Sequence, residues 1–381
     1  MGEKGQMIER ERAFRPISIF IIYLFIFGML ADCKKEKAAE DQRDEGQIFG
    51  VKIYEYQGNL PTLFEEWRRL GINTTFVSEI LASRDEFRSL AKAMNIAVFV
   101  IFPVFYDPES LEKDPDLYAV TDQGERAKEE WVTFVCPSRS DYRRQKIELA
   151  KDWVKRLNPD GLSIDFIRHF VFWEKVYPDQ TLESLVNTCF DEHCMRKFQQ
   201  DTEIVIPGSM DTVPKTASWI RQNCLPEWTQ WKCELITSMI EEIAGEVRKI
   251  KPQILINVHT VPWRQTDFGG AVKIVAGQDF ARIAPVVDFL SPMTYAHMVK
   301  CEPPWIHSVV RDIQVEADCR ILPSIQVKEA YLKDRLTVEE FRAALTEALK
   351  PPSRGVVFWS WEALSSEPEK KEVIEELINR R

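Results

Sequence analysis

The chain has 381 residues, a formal net charge of −10, 45% hydrophobic and 29% charged side chains, and eight cysteines. That length buries a large core, which excludes a disulfide-stapled miniprotein, and the composition excludes a disordered chain. The acidic balance argues against nucleic acid as a partner, because binding to a phosphate backbone is driven by basic surface.

Residues 1–16 carry Lys4, Arg10, Arg12 and Arg15, and the apolar run 17–30 follows. That run of 14 residues is shorter than the roughly 20 a membrane-spanning helix needs. The order of basic, apolar and small residues is that of a secretory signal. It ends in Leu30-Ala31-Asp32-Cys33, which resembles the lipobox of bacterial lipoproteins, with Asp32 where a small residue is usual. The resemblance implies a signal peptide over 1–32, a lipid on Cys33 and a membrane-anchored protein of the bacterial cell envelope. An uncleaved signal anchor is the alternative. Residues 33–46 are charged and aperiodic, as expected of a flexible tether.

From residue 47 onward, β-rich runs alternate with amphipathic helical ones. Strands are expected at 48–54, 74–78, 97–105, 161–166, 254–259, 289–295, 321–327 and 355–361. Helices are expected between them, among them 60–70, 85–94, 142–157 and about 231–250. Strict alternation predicts parallel strands with right-handed crossovers, and eight units predict an α/β fold of the (β/α)8 TIM barrel type. A doubly wound sheet is the alternative, weakened because no Gly-rich phosphate loop follows the first strand. A barrel takes ~250 residues, and the segment 47–381 is longer. The surplus lies at 106–141 and in a cysteine-containing insertion at about 170–230. Both follow strand C-termini, the face where barrel enzymes build their sites.

Strand parity orients the polar residues. In the fourth strand Leu162, Ile164 and Phe166 alternate with Ser163 and Asp165, which places the polar pair on the barrel axis. The same reading turns Asn257 and His259 inward on the fifth strand. It puts Ser291, Met293 and Tyr295 on one face of the sixth and Ser324 and Gln326 on one face of the seventh. Asp165, His259, Tyr295 and Gln326 then meet at the C-terminal mouth, as a binding site requires. A satisfied internal polar layer is the plainer alternative.

The run Asp160-Gly161-Leu162-Ser163-Ile164-Asp165-Phe166-Ile167-Arg168 resembles the fourth-strand motif of bacterial glycoside-hydrolase-like TIM-barrel families. Phe289-Leu290-Ser291-Pro292-Met293-Thr294-Tyr295 resembles their sixth strand, Gly355 through Glu362 their eighth, and Cys136-Pro137-Ser138 another of their landmarks. The resemblance implies a barrel acting on carbohydrate.

Glycosidic cleavage needs two carboxyl groups, one protonating the leaving oxygen and one acting as nucleophile or water-activating base. Asp165 is expected in the second role, by parity and by the motif, with Arg168 and His169 holding its charge or meeting substrate hydroxyls. Glu362 leads for the partner acid; Glu79 and Asp107 compete. Trp263, Trp359 and Trp361 are expected as sugar-stacking platforms if they face the cavity, and as core if they do not. His259 and His297 are acid–base or binding candidates. No His-Glu-x-x-His or Gly-x-Ser-x-Gly run is present, so no metal and no cofactor is expected and metal-dependent deacetylation is a weak alternative. Cys189, Cys194, Cys224 and Cys233 have spacings unlike common zinc motifs. In an exported chain they are expected to form disulfides, with Cys301–Cys319 as a further bridge, Cys136 left free, and zinc as the lesser reading. The expected function is a lipid-anchored glycoside hydrolase acting on a poly- or oligosaccharide. The alternative is a non-catalytic glycan-binding surface lipoprotein.

Overall fold

The computed structural model describes residues 46–378; the signal sequence, Cys33 and the tether through residue 45 lie outside the described residues. Nine strands form one sheet: β1 (Ile48–Ile53), β2 (Thr74–Val77), β3 (Ala97–Pro103), β4 (Gly161–Asp165), β5 (Leu255–Thr260), β6 (Phe289–Pro292), β7 (Arg320–Ile321), β8 (Ser324–Gln326) and β9 (Gly355–Trp359). All their pairings are parallel, in the order β8-β9-β1-β2-β3-β4-β5-β6-β7. The two ends of that order, β7 and β8, are halves of one extended stretch interrupted at Leu322-Pro323. Pro323 has no N–H to give the ladder, which breaks the strand in two. The Leu322 N–H reaches Leu290 O at 2.9 Å, and a parallel bridge joins Met293 to Ser324. The sheet thus curls back on itself in the manner of a (β/α)8 barrel.

The elements follow from local chemistry. β3 is apolar on both faces because helices cover one side and the lumen the other. Helix Leu60–Arg69 starts at Asn59, whose side chain accepts the Thr62 N–H, and buries Leu60, Leu63, Phe64 and Trp67 along one stripe. The sixth expected strand stops at Pro292, three residues early, because the chain there turns into a run of short-range backbone hydrogen bonds through Ala296. No described helix is long and apolar enough to cross a membrane.

Two layers fill the lumen. Phe76, Phe99, Ile101, Phe289, Leu322 and Val357 form an apolar plug. Its fit depends on Gly161, where a Cβ would stand 2.2 Å from Phe99 Cε1. Above it Ser291 Oγ donates to Asn257 Oδ1 (2.7 Å), Asn257 Nδ2 donates to Ser163 Oγ (2.9 Å), and His259 Nε2 lies 2.9 Å from the same oxygen. Ser163, Asn257 and Ser291 are therefore a satisfied polar layer.

Between β4 and the 26-residue helix Leu225–Ile250 the chain forms two short 3-10 turns and the helices Glu192–Thr202 and Val213–Asn223. Trp228 anchors this segment, stacking on Phe190 and meeting Phe198 edge-on, with centroids 4.9 and 5.0 Å away.

The disulfide expectation is corrected: all seven described cysteines are free thiols. Cys301 and Cys319 flank helix Pro304–Glu316, whose length at 1.5 Å per residue holds them roughly 20 Å apart, far beyond disulfide reach. Cys224 and Cys233 are spaced along the start of helix Leu225–Ile250 in the same way.

Gly161→Ala is expected to destabilise the barrel by about 1–3 kcal/mol through overpacking against Phe99. In a Phe99→Leu background the same change is expected to cost measurably less, as read by urea denaturation of the four chains of the cycle.

Candidate active site

Site residues lie at the C-terminal ends of the strands. β4 ends at Asp165, opposite Pro103 of β3, and the next residue, Phe166, sits in the left-handed region (φ 50°). That conformation is disfavoured for a side-chain-bearing residue and needs local support. Asp165 Oδ1 accepts the Phe166 N–H at 2.7 Å, and the Phe166 ring stacks on Tyr106 at 4.7 Å. The chain then lays the Arg168 guanidinium over Phe134 (5.0 Å) and Phe166 (5.4 Å) and enters the 3-10 turn Trp173–Lys175, which carries Glu174.

These groups line a cavity of about 260 Å³. Its floor and polar wall are Lys52, Asp165, Arg168 and Glu174; its aromatic wall includes Trp131, Trp173, Tyr295, Tyr331 and Trp359. The Tyr295 and Trp359 rings are nearly parallel, 4.7 Å apart and 14° from coplanar. Trp131 Nε1 donates to the Tyr331 hydroxyl at 2.8 Å across the mouth.

Lys52 Nζ lies in the lumen, 3.4 Å from His259 Nδ1 and 3.3 Å from the Tyr295 hydroxyl. Burial pushes its ammonium down to about 8, against the opposing pull of Asp165. Burial and Lys52 push His259 down to about 3, so the imidazole is neutral near pH 7. Because an ammonium only donates, Nδ1 accepts from it, and Nε2 carries the proton toward Ser163. Burial opposes ionisation of Asp165, but His259, Lys52, the Phe166 N–H and Arg168 together hold its carboxyl below the usual range. With His259 neutral, the cations facing it at pH 7 are Lys52 and Arg168.

Glu174 responds in the opposite direction. Burial pushes its carboxyl up to about 7, with Arg168 opposing and Asp165 reinforcing the rise. Glu174 Oε2 and Arg168 Nε are both buried without a hydrogen-bond partner among the described residues.

Of the residues expected from sequence, Asp165, Arg168, Tyr295 and Trp359 line this cavity and His259 sits beneath it. The others are placed elsewhere. Glu362 is exposed outside the lining, its Oε1 accepting the Tyr54 and Glu55 N–H groups at 2.6 and 3.0 Å. Trp361 begins a helix on the outer face and packs edge-on against Trp67. Gln326 ties loops together, accepting from Met298 N and donating to Lys328 O. His297 bonds Glu340 and Asp334 O, each at 2.9 Å. Trp263 lines a separate cavity with Phe268 and Trp305. His169 is fully buried against Cys189. Of the competing acids, Glu79 pairs with Arg156 and Asp107 with Lys146. Lys52 and Glu174 were missed. The signal for Lys52 was a lone cation between Val51 and Ile53; Glu174 lies in an aperiodic insertion that has none.

No family model and no curated protein matches the chain. Solved structures do. The PgaB (BpsB) glycoside hydrolase domain from Bordetella bronchiseptica superposes with a TM-score of 0.65 at 12% identity, over 87% of this chain and 98% of that one. The β-galactosidase of the Antarctic haloarchaeon Halorubrum lacusprofundi gives 0.62 at 10% identity, over 86% and 57%. A catalytic mutant of Gan42B, a GH42 β-galactosidase from G. stearothermophilus, gives 0.59 at 13%, over 87% and 56%. The chain thus has a glycoside-hydrolase-like fold and spans just over half the length of those β-galactosidases.

The raised pKa of Glu174 links site to stability. Below its unfolded value of 4.5 both states are protonated; between there and about 7 only the folded chain keeps the proton. Stability from this group is therefore full at acid pH and lost as pH rises through about 7. Glu174→Gln, which does not titrate, is expected to gain on the wild type between pH 4.5 and 8, by on the order of 3 kcal/mol. Urea unfolding of both chains at the two pH values checks this; a pH-independent difference refutes it.

Proposed function

We propose that the protein is a glycoside hydrolase acting on a poly- or oligosaccharide, with Asp165 as nucleophile or water-activating base and Glu174 as the general acid. The observation that carries this reading is the pair itself: two carboxyls in one aromatic-walled cavity, one held ionised and the other pushed up to about 7. Carboxyls driven apart in this way take opposite acid–base roles. Protonated Glu174 gives its proton to the departing glycosidic oxygen as the bond to the anomeric carbon breaks. Asp165, kept anionic by Lys52 and Arg168, attacks that carbon or takes the proton of an attacking water. In the first case Glu174 then deprotonates the water that releases the sugar. The Tyr295–Trp359 pair and Trp131 offer flat faces to the C–H side of a sugar ring. Glycoside hydrolase activity in the proteins of similar fold supports the same substrate class. Glu362 is set aside as the acid because two backbone N–H groups already hold its carboxylate outside the cavity. Export and lipid attachment at Cys33 complete the reading, supported by the lipobox-like run.

Asp165→Asn is expected to abolish hydrolysis of every glycoside. Glu174→Gln is expected to slow natural oligosaccharides by roughly 10²–10⁴-fold, but to spare aryl glycosides whose leaving group needs no proton. Activity of the wild type is expected to fall as pH rises through about 7, and that limb should vanish in Glu174→Gln with an aryl substrate. Oligosaccharide binding by the wild type without turnover would favour the glycan-binding alternative.

A further inference from the structure

Three buried thiols from separate parts of the chain converge beside the barrel. Cys136 lies between β3 and helix Ser140–Leu157, whereas Cys189 and Cys194 belong to the insertion after β4. Cys136 Sγ stands 3.3 Å from Cys189 Sγ and 3.2 Å from Cys194 Sγ, and all three residues are fully buried. All three sulfurs lie within 4.8 Å of one another. These separations are much longer than an S–S bond of ~2.05 Å. The two to Cys136 fall within about 0.6 Å of the ~3.8 Å edge of a tetrahedron built on Zn–S bonds of ~2.3 Å. A disulfide would join Cys136 to one neighbour and leave the other thiol pressed against it. Ser138 Oγ lies 3.2 Å from Cys136 Sγ and from Cys194 Sγ, and Asp191 Oδ2 lies 3.3 Å from Cys194 Sγ, on the rim of the same cluster; a single soft cation engages all three sulfurs.

The surroundings fit a cation as well. His169 adjoins the cluster, with Nδ1 3.2 Å from Cys189 Sγ and Nε2 3.1 Å from Lys232 O. A carbonyl only accepts, so Nε2 carries the proton and Nδ1 keeps its lone pair on the side of the sulfur. Gly277 makes room for the ring: a Cβ there would meet His169 Cδ2 at 2.6 Å. Lys232 is fully buried, donates to Ile274 O and Val275 O at 3.1 Å each and to Asn187, and feels the charge of the cysteines. Three thiolates around a divalent ion leave one negative charge, which this ammonium offsets, while the neighbouring Asp191 is paired with Arg139.

We infer that Cys136, Cys189 and Cys194 form a structural site for a zinc-class divalent cation. Binding releases the three thiol protons to solvent. The ion ties the segment after β3 to the insertion after β4.

Elemental analysis of the purified full-length chain is expected to find one zinc per chain, lost in Cys136→Ser and in Cys194→Ser. Cobalt loaded in its place is expected to show a thiolate-to-cobalt charge-transfer band that those variants lack. Folding failure of a variant is bypassed on the wild type: after denaturation in chelator without reductant, alkylation and mass spectrometry should find residues 136, 189 and 194 all modified. A disulfide among the three, or a natively folded chain that neither carries nor takes up zinc or cobalt, overturns the site.

Discussion

Lys52 carries its ammonium into the barrel lumen at 1% exposure, on a strand whose neighbours Val51 and Ile53 pack outward. An isolated charge there would cost several kcal/mol, so the groups around it are constrained to be acceptors or anions. His259 must be neutral and present Nδ1; its proton is thereby sent to Nε2 and on toward Ser163. Ser163 in turn accepts from Asn257, which accepts from Ser291. One buried cation thus orients a polar chain across three strands. It also faces Asp165, and with Arg168 it keeps that carboxylate charged in a place where burial alone would neutralise it.

The parts legible in the sequence were those governed by short periods. The alternation in β4 and β5 located Asp165, Ser163, Asn257 and His259 because every second residue of a barrel strand must face the axis. The same rule failed where strands ended. β9 stops at Trp359, so Trp359 faces the cavity while Trp361, two residues on and of equal parity, begins a helix and packs outward. Gln326 and His297 are polar at the expected end of the barrel, yet their hydrogen bonds close loops and leave little for a substrate. Lys52 was written in the same alternation as Asp165, on a strand read only for its apolar residues. The thiol cluster was illegible for another reason: Cys136 lies more than fifty residues before Cys189 and Cys194 in sequence, and only the fold brings them together.

Glu174 shows why the second carboxyl escapes a sequence reading. Nothing in Phe172-Trp173-Glu174-Lys175 distinguishes a buried acid from a solvated one; its environment is supplied by distant residues. The turn that carries it is held by the His169 N–H bonded to Ala276 O, by the Arg168 side chain against Phe134 and Phe166, and by Trp173 buried against Tyr295. An acid pushed up to about 7 is destabilising to the fold at neutral pH, so these contacts offset the cost of keeping it in place. A site that stores such strain in a loop has to fasten that loop at more than one point.

The cavity is accordingly built from two kinds of parts. Lys52, Asp165 and Trp359 stand on barrel strands, and the Tyr295 ring is clamped between Trp359 and Trp173. Their positions are set by sheet register and core packing, as charge placement at the ångström scale requires. The rim is different. Trp131 comes from the segment after β3, Phe172 from the insertion after β4, and Tyr331 from the segment after β8, and they meet one another, Trp131 and Phe172 edge-on at 6.0 Å, Phe172 and Tyr331 edge-on at 5.5 Å, while Trp131 also packs on Tyr106 and Phe166. Trp131 and Tyr331 remain partly exposed. Of these rim residues, Tyr331 and Phe172 stand apart from the charged floor, while Trp131 reaches it through Phe166. The shape of the cavity mouth can therefore vary on the rim while Lys52 and Asp165 keep their places on the barrel strands.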